Sequence, residues 1–175
     1  MSKPIYENGK IIYFGRGVYH REDGPAIINL FTGDKYWYRN GLRHRPSGPA
    51  IERVNGHNEW FFGGRHHRID GPAIISSDCQ IWCLNGYYHR DDGPAVEYDT
   101  GHKEWYIKGK KHRIDGPAVI HSNGDQEWWN TNKLHRDDGP AIERIDGEKE
   151  WYLHGQVVAL SVEEFNRFRY AKDLL

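Results

Sequence analysis

Six short segments of the chain each place a histidine, an arginine and, in five of them, an aspartate within four residues. Imidazole nitrogens and carboxylate oxygens bind zinc, and the same groups transfer protons in hydrolytic active sites. These residue types therefore raise the question of a metal site or an acid–base site. The segments follow the pattern HRxDGPA, with Ser47 once in place of the aspartate, and they begin at His20, His44, His67, His89, His112 and His135.

The spacing of the segments argues against a shared site. Successive histidines lie 24, 23, 22, 23 and 23 positions apart, so each belongs to one repeat of a tandem array. If each repeat supplies two neighbouring strands, equivalent side chains recur every ~9.5 Å, whereas ligands of one zinc ion lie within about 4 Å of each other. Unless the repeats curl sharply, we expect no metal site, no catalytic residue and no cofactor.

A structural role for the segments is the alternative, and the sequence favours it. An aspartate in such a turn accepts backbone N–H groups, and a histidine or arginine can tether the turn to the neighbouring repeat. Ser47 fits this role, because a serine makes the same turn bond more weakly. A catalytic residue would rarely occur five times in one chain.

The rest of each repeat indicates short β-strands separated by turns. A glycine stands three residues before each histidine except in the sixth repeat, where Asn132 replaces it; asparagine is the non-glycine residue that best tolerates positive φ. Dipeptides such as Asn55-Gly56 mark a tight turn midway through five repeats. Because so many turn residues leave no room for a helix, each repeat is predicted as strand, tight turn, strand and longer turn.

The end of the chain has a helical pattern instead. Ser161 and Glu164 have the spacing of a capping box. The helix is expected to cover the open end of the sheet, since an exposed edge strand invites aggregation; binding a partner is the alternative role. The apolar residues at near-helical spacing are Val162, Phe165, Phe168 and Ala171.

Together these patterns predict an all-β fold, an antiparallel β-repeat array with two strands per repeat of about 23 residues and a C-terminal capping helix. Residues 1–158 are predicted to form the array, with six HRxDGPA repeats and a partial repeat that begins at Trp151. Residues 159–175 are predicted to form the amphipathic helix.

Two rows of mostly aromatic residues run through the second strands of the repeats. The tryptophans and the residues that follow them lie on opposite faces, because neighbours on a strand point oppositely. A single-layer sheet can bury one row against itself, so we assign the uniform tryptophan row, from Trp37 to Trp151, to the core. The second row is either a contact surface or partly buried under lysine and arginine stems. Its candidate partner-binding residues are Tyr38, Phe61, Tyr106, Trp129 and Tyr152.

The arginines of the repeats form a third periodic set. They could follow a phosphate backbone while aromatic residues stack on bases, which gives an alternative function as a nucleic-acid or nucleotide binder. They could instead pair with the aspartate of the adjacent turn. One aspartate per arginine in five of six repeats, and a net charge of −1, favour ion pairing. The candidate ligand-binding arginines are Arg21, Arg45, Arg68, Arg90, Arg113 and Arg136.

The segment WYxxGxxH, which leads from residues such as Tyr106 through the glycine to the histidine, resembles the MORN repeat over residues 4–158. It departs from that repeat where His-Arg-x-Asp-Gly-Pro-Ala stands in place of His-Gly-x-Gly. It is more similar to the variant repeats with an HRxDGPA signature found in bacteriophage and giant-virus proteins, whose helical tail the ending WYLHGQVVALSVEEFNRF also resembles. The resemblance implies an elongated, curved antiparallel sheet that contacts proteins or lipids and has no enzymatic activity.

The sequence also suggests a compartment. No apolar run approaches the ~20 residues needed to cross a bilayer, and the N-terminus lacks an apolar signal core. Cys79 and Cys83 would lie roughly 13 Å apart on one strand, too far for a disulfide, which is typical of free thiols in the cytoplasm. We therefore expect a cytoplasmic scaffold that binds a protein partner. By the resemblance, that partner is a host factor, which a phage protein would inhibit or sequester in the host cytoplasm.

Overall fold

A computed structural model describes residues 3–159 and 161–172, with side chains for residues 3–158 and 161–167. Within these ranges the chain forms short antiparallel strands and one helix. The predicted fold class, an antiparallel β-repeat array with a C-terminal helix, is confirmed. The chain divides into two compact halves, Met1–Tyr87 and Tyr88–Leu175.

The first half consists of one sheet and a series of small hairpins. Its strands are β1 (Ile5–Glu7), β2 (Lys10–Ile12), β3 (Phe14–Gly15), β4 (Val18–Tyr19), β5 (Ile27–Asn29), β6 (Lys35–Tyr36), β7 (Tyr38–Arg39), β8 (Leu42–Arg43), β9 (Ile51–Glu52), β10 (Asn58–Glu59), β11 (Phe61–Phe62), β12 (Arg65–His66), β13 (Ile74–Ile75), β14 (Cys79–Ile81) and β15 (Cys83–Leu84). Antiparallel neighbours in the sheet follow the order β1-β2-β5-β6-β9-β10-β13-β14. The pairs β3–β4, β7–β8 and β11–β12 form separate two-stranded hairpins.

The second half repeats this arrangement and ends in the helix. After β16 (Tyr87–Tyr88), its elements are β17 (Val96–Tyr98), β18 (Lys103–Glu104), β19 (Tyr106–Ile107), β20 (Lys110–Lys111), β21 (Val119–Ile120), β22 (Gln126–Glu127), β23 (Trp129–Asn130), β24 (Lys133–Leu134), β25 (Ile142–Glu143), β26 (Lys149–Leu153), β27 (Gln156–Ala159) and α1 (Val162–Lys172). Sheet order is β17-β18-β21-β22-β25-β26-β27, and β19–β20 and β23–β24 are separate hairpins.

Each repeat contains a second hairpin, which covers the predicted end of the second strand and the start of the predicted longer turn. In the second repeat, β6 ends before Trp37 and β7 begins after it, while the Trp37 N–H donates to the Ala50 carbonyl at 2.8 Å. The chain then reverses at Asn40 and Gly41, whose φ angles are 51° and 79°. Two left-handed residues in a row give the tight turn that matches the twist of short strands. The prediction of positive φ at Asn132 is confirmed, with φ of 63°.

The buried core residues lie where the strands of the sheet meet the small hairpins. Beside each junction lies the alanine of a GPA segment, and its backbone bonds to both neighbouring strands, as Ala50 does to the Glu59 carbonyl at 2.7 Å and to the Trp37 N–H. A methyl group is the largest side chain that so close an approach accommodates. The β-branched residue that follows, such as Ile51 or Val119, is buried on the face of the sheet. The fully buried alanines are Ala26, Ala50, Ala73, Ala95, Ala118 and Ala141.

The C-terminal helix packs against the last hairpin of the sheet. Ser161 Oγ accepts the N–H of Glu164 at 3.2 Å, which is the main-chain half of a capping box. Phe165 is buried against Trp151 and Leu153 of β26. A helix that caps the end of the sheet must pack an apolar side chain against the last strands, and Phe165 makes this contact. Leu160, and the side chains of Phe168 and Ala171, lie outside the described residues.

Phe165→Ala should lower the free energy of unfolding by about 3 kcal/mol, because it removes the side chain through which α1 is docked on the array. Urea denaturation followed by tryptophan fluorescence measures the change. Val162→Ala is the matched control, since Val162 is an exposed apolar residue of the same helix and should change stability by less than about 0.5 kcal/mol. Equal effects of the two substitutions would contradict the docking role.

Candidate binding surface

The histidines of the repeats tie each hairpin to the next one. In five of the six, Nδ1 accepts a hydrogen bond from the backbone N–H of a turn residue in the following hairpin, at 3.0–3.3 Å. An accepting Nδ1 carries no proton, so these rings are neutral with the proton on Nε2. The predicted tether between repeats is confirmed. The bonded pairs are His20–Asn40, His44–Gly63, His67–Asn85, His89–Lys108 and His135–His154.

His112 is the exception. Its Nδ1 is buried and has no hydrogen-bond partner within the described part of the chain. In the following hairpin, Asn132 stands in place of the turn glycine, and its Oδ1 accepts the N–H of Lys111 at 2.7 Å. The N–H of Asn132 in turn donates to the Lys111 carbonyl at 3.0 Å. The asparagine side chain thus makes the link between hairpins that the histidine makes elsewhere.

The arginines of the repeats are held inside their own turns. Arg113 Nε donates to Asp115 Oδ1 at 3.0 Å, and its guanidinium lies over the Trp105 ring, 4.2 Å from the centroid. The expectation that arginine pairs with the adjacent turn is wrong, because a separation of two residues brings the two groups together on one loop. The aspartate also serves chiefly as the partner of the arginine: this hydrogen bond is the main cause that lowers the pKa of Asp115. The same pairs occur at Arg21–Asp23, Arg68–Asp70, Arg90–Asp92 and Arg136–Asp138.

A glutamate on the sheet supplies a second anchor in alternate repeats. Arg45, whose turn has Ser47 in place of the aspartate, donates from Nη1 to Glu52 Oε2 at 3.2 Å. Arg136 makes the equivalent bond to Glu143 at 2.9 Å, and Arg90 lies 3.6 Å from Glu97. The repeats between them carry isoleucine at this position: Ile28, Ile75 and Ile120. In every second repeat, therefore, the arginine lies beside a glutamate of the sheet, and in the other repeats it does not.

This packing leaves the carboxylates, and not the guanidiniums, on the surface. The six arginine side chains are only 23–27% exposed. Their aspartate partners are 59–85% exposed. A phosphate group that approached the turns would meet negative charge first, so the arginine set is poorly placed to follow a nucleic-acid backbone.

The second aromatic row is partly covered, and the assignment of core and surface to the two rows therefore differs from the prediction. Phe61 is only 6% exposed and packs on Ala50 and Ile51. The other four candidate residues, Tyr38, Tyr106, Trp129 and Tyr152, are half-buried. The tryptophan row is half-buried too, except for Trp151, which is buried. Both rows thus contribute to the packing.

Residues from the preceding hairpin cause this partial burial. Lys111 Nζ lies 5.5 Å from the centroid of the Trp129 ring, and Tyr88 packs on Tyr106 with centroids 5.3 Å apart. The guanidinium of Arg43 lies 5.3 Å from the centroid of Phe61 in the same way. The sequence interpretation left burial under lysine and arginine stems open as an alternative, and these contacts correspond to it.

In the second half of the chain, each candidate aromatic residue is held in one orientation by the glutamate two positions before it in the sequence. Tyr106 Oη donates to Glu104 at 2.6 Å, and burial, followed by this bond, raises the pKa of the tyrosine. Trp129 Nε1 donates to Glu127 at 2.7 Å. Tyr152 Oη donates to Glu150 at 2.8 Å. The motif Glu-Trp-aromatic was visible in the sequence, but the sequence reasoning did not assign these glutamates a role.

Basic groups complete each pair of aromatic residue and carboxylate. His102 Nε2 lies 3.0 Å from Glu104, and Lys111 Nζ lies 3.5 Å from the same carboxylate. His121 Nε2 lies 2.8 Å from Glu127. The candidate surface is thus a row of three aromatic–carboxylate pairs with basic side chains between them, which we call the aromatic row. Its rings and carboxylates are Tyr106, Trp129, Tyr152, Glu104, Glu127 and Glu150.

Glu59 occupies the equivalent place in the first half and has two histidine partners. His66 Nε2 lies 2.8 Å from one carboxylate oxygen and His57 Nε2 lies 2.9 Å from the other. The hydrogen bond from His66 is the main cause that lowers the pKa of Glu59 to about 2. Because His57 is in a turn and His66 in β12, this carboxylate joins the turn, the sheet and the hairpin of one repeat.

Comparison with known proteins adds no functional assignment: no protein-family model matches the chain, and no curated protein has a similar sequence. In the ranges that the structure describes, no helix is long and apolar enough to span a bilayer. No group of three or more His, Cys, Asp and Glu side chains is placed to hold a metal ion in these same ranges. Function must therefore be inferred from the geometry of this chain.

His67→Ala should cost about 0.5–1.5 kcal/mol of unfolding free energy, because it removes the acceptor of the hydrogen bond that the turn N–H of Asn85 donates. His112→Ala is the matched control: the residue occupies the same position of its repeat, but its Nδ1 accepts no hydrogen bond from any described residue. Chemical denaturation of both variants measures the difference. A loss at His112 as large as that at His67 would show that ring packing, and not the tether, stabilises the array.

Glu59→Gln should destabilise the protein at neutral pH and lose its effect in acid. The folded state lowers the pKa of this carboxyl from 4.5 to about 2, so its stabilisation is complete above about pH 4.5 and disappears as the pH falls towards 2. The expected loss at pH 7 is about 2–3 kcal/mol. Urea denaturation between these pH values measures it, with Glu163→Gln at an exposed position of α1 as control. A difference that is independent of pH would contradict the hydrogen-bonded arrangement.

Proposed function

We propose that the protein is a non-catalytic scaffold whose aromatic row binds a protein partner. The observation that carries this proposal is the threefold repetition of a half-buried aromatic side chain hydrogen-bonded to a glutamate, at Tyr106, Trp129 and Tyr152. Tyrosine and tryptophan dominate the energetics of protein interfaces. Side chains that are already held in one orientation lose little conformational entropy on binding, which favours affinity.

The other two partner-binding candidates from the sequence, Phe61 and Tyr38, lie outside the aromatic row and contribute less. Phe61 is buried, so it supports the surface and does not contact a partner. Tyr38 is half-buried, and its hydroxyl accepts a hydrogen bond from Arg43 Nε at 3.3 Å. The proposed contact surface is therefore centred on the second half of the chain.

The absence of catalysis is part of the proposal. A general base needs a free acceptor within reach of a substrate. Five repeat histidines use Nδ1 to accept backbone N–H groups, and the repeat arginines lie between an aromatic ring and a carboxylate or a carbonyl. These groups have structural partners in place of substrates. The alternative function in nucleic-acid binding is disfavoured by the exposed aspartates of the same turns.

The resemblance to viral repeat proteins leads to a more specific proposal. We infer that the chain acts in the cytoplasm of a host cell, where it binds a host protein and inhibits or sequesters it. Both cysteines are free thiols, and burial raises the pKa of Cys83 to about 11, so this thiol stays protonated and inert. Unpaired cysteines are typical of a reducing compartment.

Tyr106→Ala combined with Trp129→Ala should reduce partner binding at least about 30-fold, because two interface aromatics each contribute on the order of 1–2 kcal/mol. Affinity capture from host lysate, followed by mass spectrometry and a titration of the captured protein, measures the loss. The control pair is Tyr6→Ala with Phe31→Ala, which removes two exposed aromatic residues outside the row.

The experiment must distinguish loss of binding caused by a missing contact from loss of binding caused by unfolding of the variant. Each alanine substitution removes one of the hydrogen-bond donors of a glutamate, so the melting temperature of each variant is measured alongside. Tyr106→Phe keeps the ring and removes only the hydrogen bond to Glu104; it should weaken binding less than alanine does. Partner capture that is unchanged in a folded double variant would rule out the aromatic row as the binding surface.

A further inference from the structure

A second surface lies along the HRxD turns of the second half. We call it the turn ridge and define it as residues 89–92, 112–115 and 135–138. At its centre Ile114 is 91% exposed. A groove lies on either side of this isoleucine: Trp105 and Ile107 line one, and Trp128 and Trp129 line the other, each together with charged side chains of the turns. An exposed isoleucine between two such grooves offers another molecule apolar and ionic contacts side by side.

The turn ridge is acidic. Its five aspartates, all 75–85% exposed, stand against three arginines, which leaves two net negative charges with the histidines neutral. The arginines lie low in the surface, stacked on tryptophan in two of the turns. A molecule that approaches from solvent therefore meets the carboxylates. The aspartates are Asp91, Asp92, Asp115, Asp137 and Asp138.

The corresponding turns of the first half lack this charge. They contain the acidic residues Glu22, Asp23 and Asp70 against three arginines, and therefore no net charge. Ile69 matches Ile114 in sequence context and is 86% exposed, but the turn that precedes it carries Pro46 and Ser47 in place of acidic residues. The combination of an exposed isoleucine with acidic turns before and after it thus belongs to the second half.

We propose that the turn ridge binds a basic amphipathic segment of a partner protein. Lysine or arginine side chains of that segment pair with the exposed aspartates, while an apolar side chain contacts Ile114 and enters a groove beside it. The charge of the ridge selects this occupant, because nucleic acid and anionic lipid would be repelled by the same carboxylates. This surface adjoins the aromatic row, because Trp129 also lines the groove on one side of Ile114. Its aspartates and Ile114 are not part of that row, so their substitution tests the turn ridge separately.

The test uses the full-length protein and a short synthetic peptide of alternating leucine and lysine, with binding measured by fluorescence anisotropy at two salt concentrations. Asp91→Asn combined with Asp137→Asn should weaken binding about tenfold and reduce its salt dependence. Asp99→Asn combined with Glu163→Gln removes the same charge from exposed positions of the second half outside the ridge, and should weaken binding less than about twofold.

The apolar contribution is tested separately. Ile114→Ser should weaken binding about fivefold, and Ile69→Ser should leave it unchanged. A peptide of alternating leucine and glutamate should not bind. The proposal is overturned if the leucine–lysine peptide does not bind the wild-type protein, if both charge pairs have the same effect, or if the leucine–glutamate peptide binds equally well.

Discussion

Hydrogen bonds from a hairpin turn to the preceding repeat join successive hairpins, and in five of the six repeats a histidine Nδ1 is one of the acceptors. Each of the separate two-stranded hairpins has only two residues in each strand, too few to persist alone in water. A neutral Nδ1 acceptor fixes the hairpin against its predecessor, and the turn presents its N–H to that acceptor only when two successive residues have left-handed backbone angles, as at Asn40 and Gly41. The glycine that allows the tight turn and the histidine that accepts its N–H therefore act together to join two hairpins.

Side chains that are already bonded inside the array are not available to other molecules, and this determines which surfaces remain for a partner. Arginines that looked like a ligand-binding set are used within their turns, between tryptophan and aspartate. Their carboxylate partners stay in solvent and give the turns of the second half their negative charge. The aromatic residues that looked like a free surface are partly used as well, because Lys111 and Tyr88 pack on the next ring along. Two surfaces of different character result, one aromatic with oriented carboxylates and one acidic with an exposed isoleucine.

The sequence was sufficient to predict the repeats, the strand-rich fold and the terminal helix, because these depend on local patterns such as turn dipeptides and the capping box. Asn132 was interpreted correctly from the same kind of rule. The second hairpin was not predicted, since the break at Trp37 depends on its hydrogen bond to Ala50, which is distant in sequence. The glutamates of the aromatic row could have been found from the sequence: residues two apart on a strand share a face, which places Glu127 beside Trp129.

The alternation between glutamate and isoleucine on the sheet has a consequence for how such a chain can grow. Repeats with Glu52, Glu97 or Glu143 place a carboxylate of the sheet beside their arginine, whereas the alternate repeats place an isoleucine there. At this position the structural unit is accordingly a pair of repeats. Duplication of one repeat would place two glutamate repeats or two isoleucine repeats next to each other and interrupt the alternation. Duplication of a pair of repeats would preserve the alternation. Length variation in chains of this type should therefore proceed in even steps.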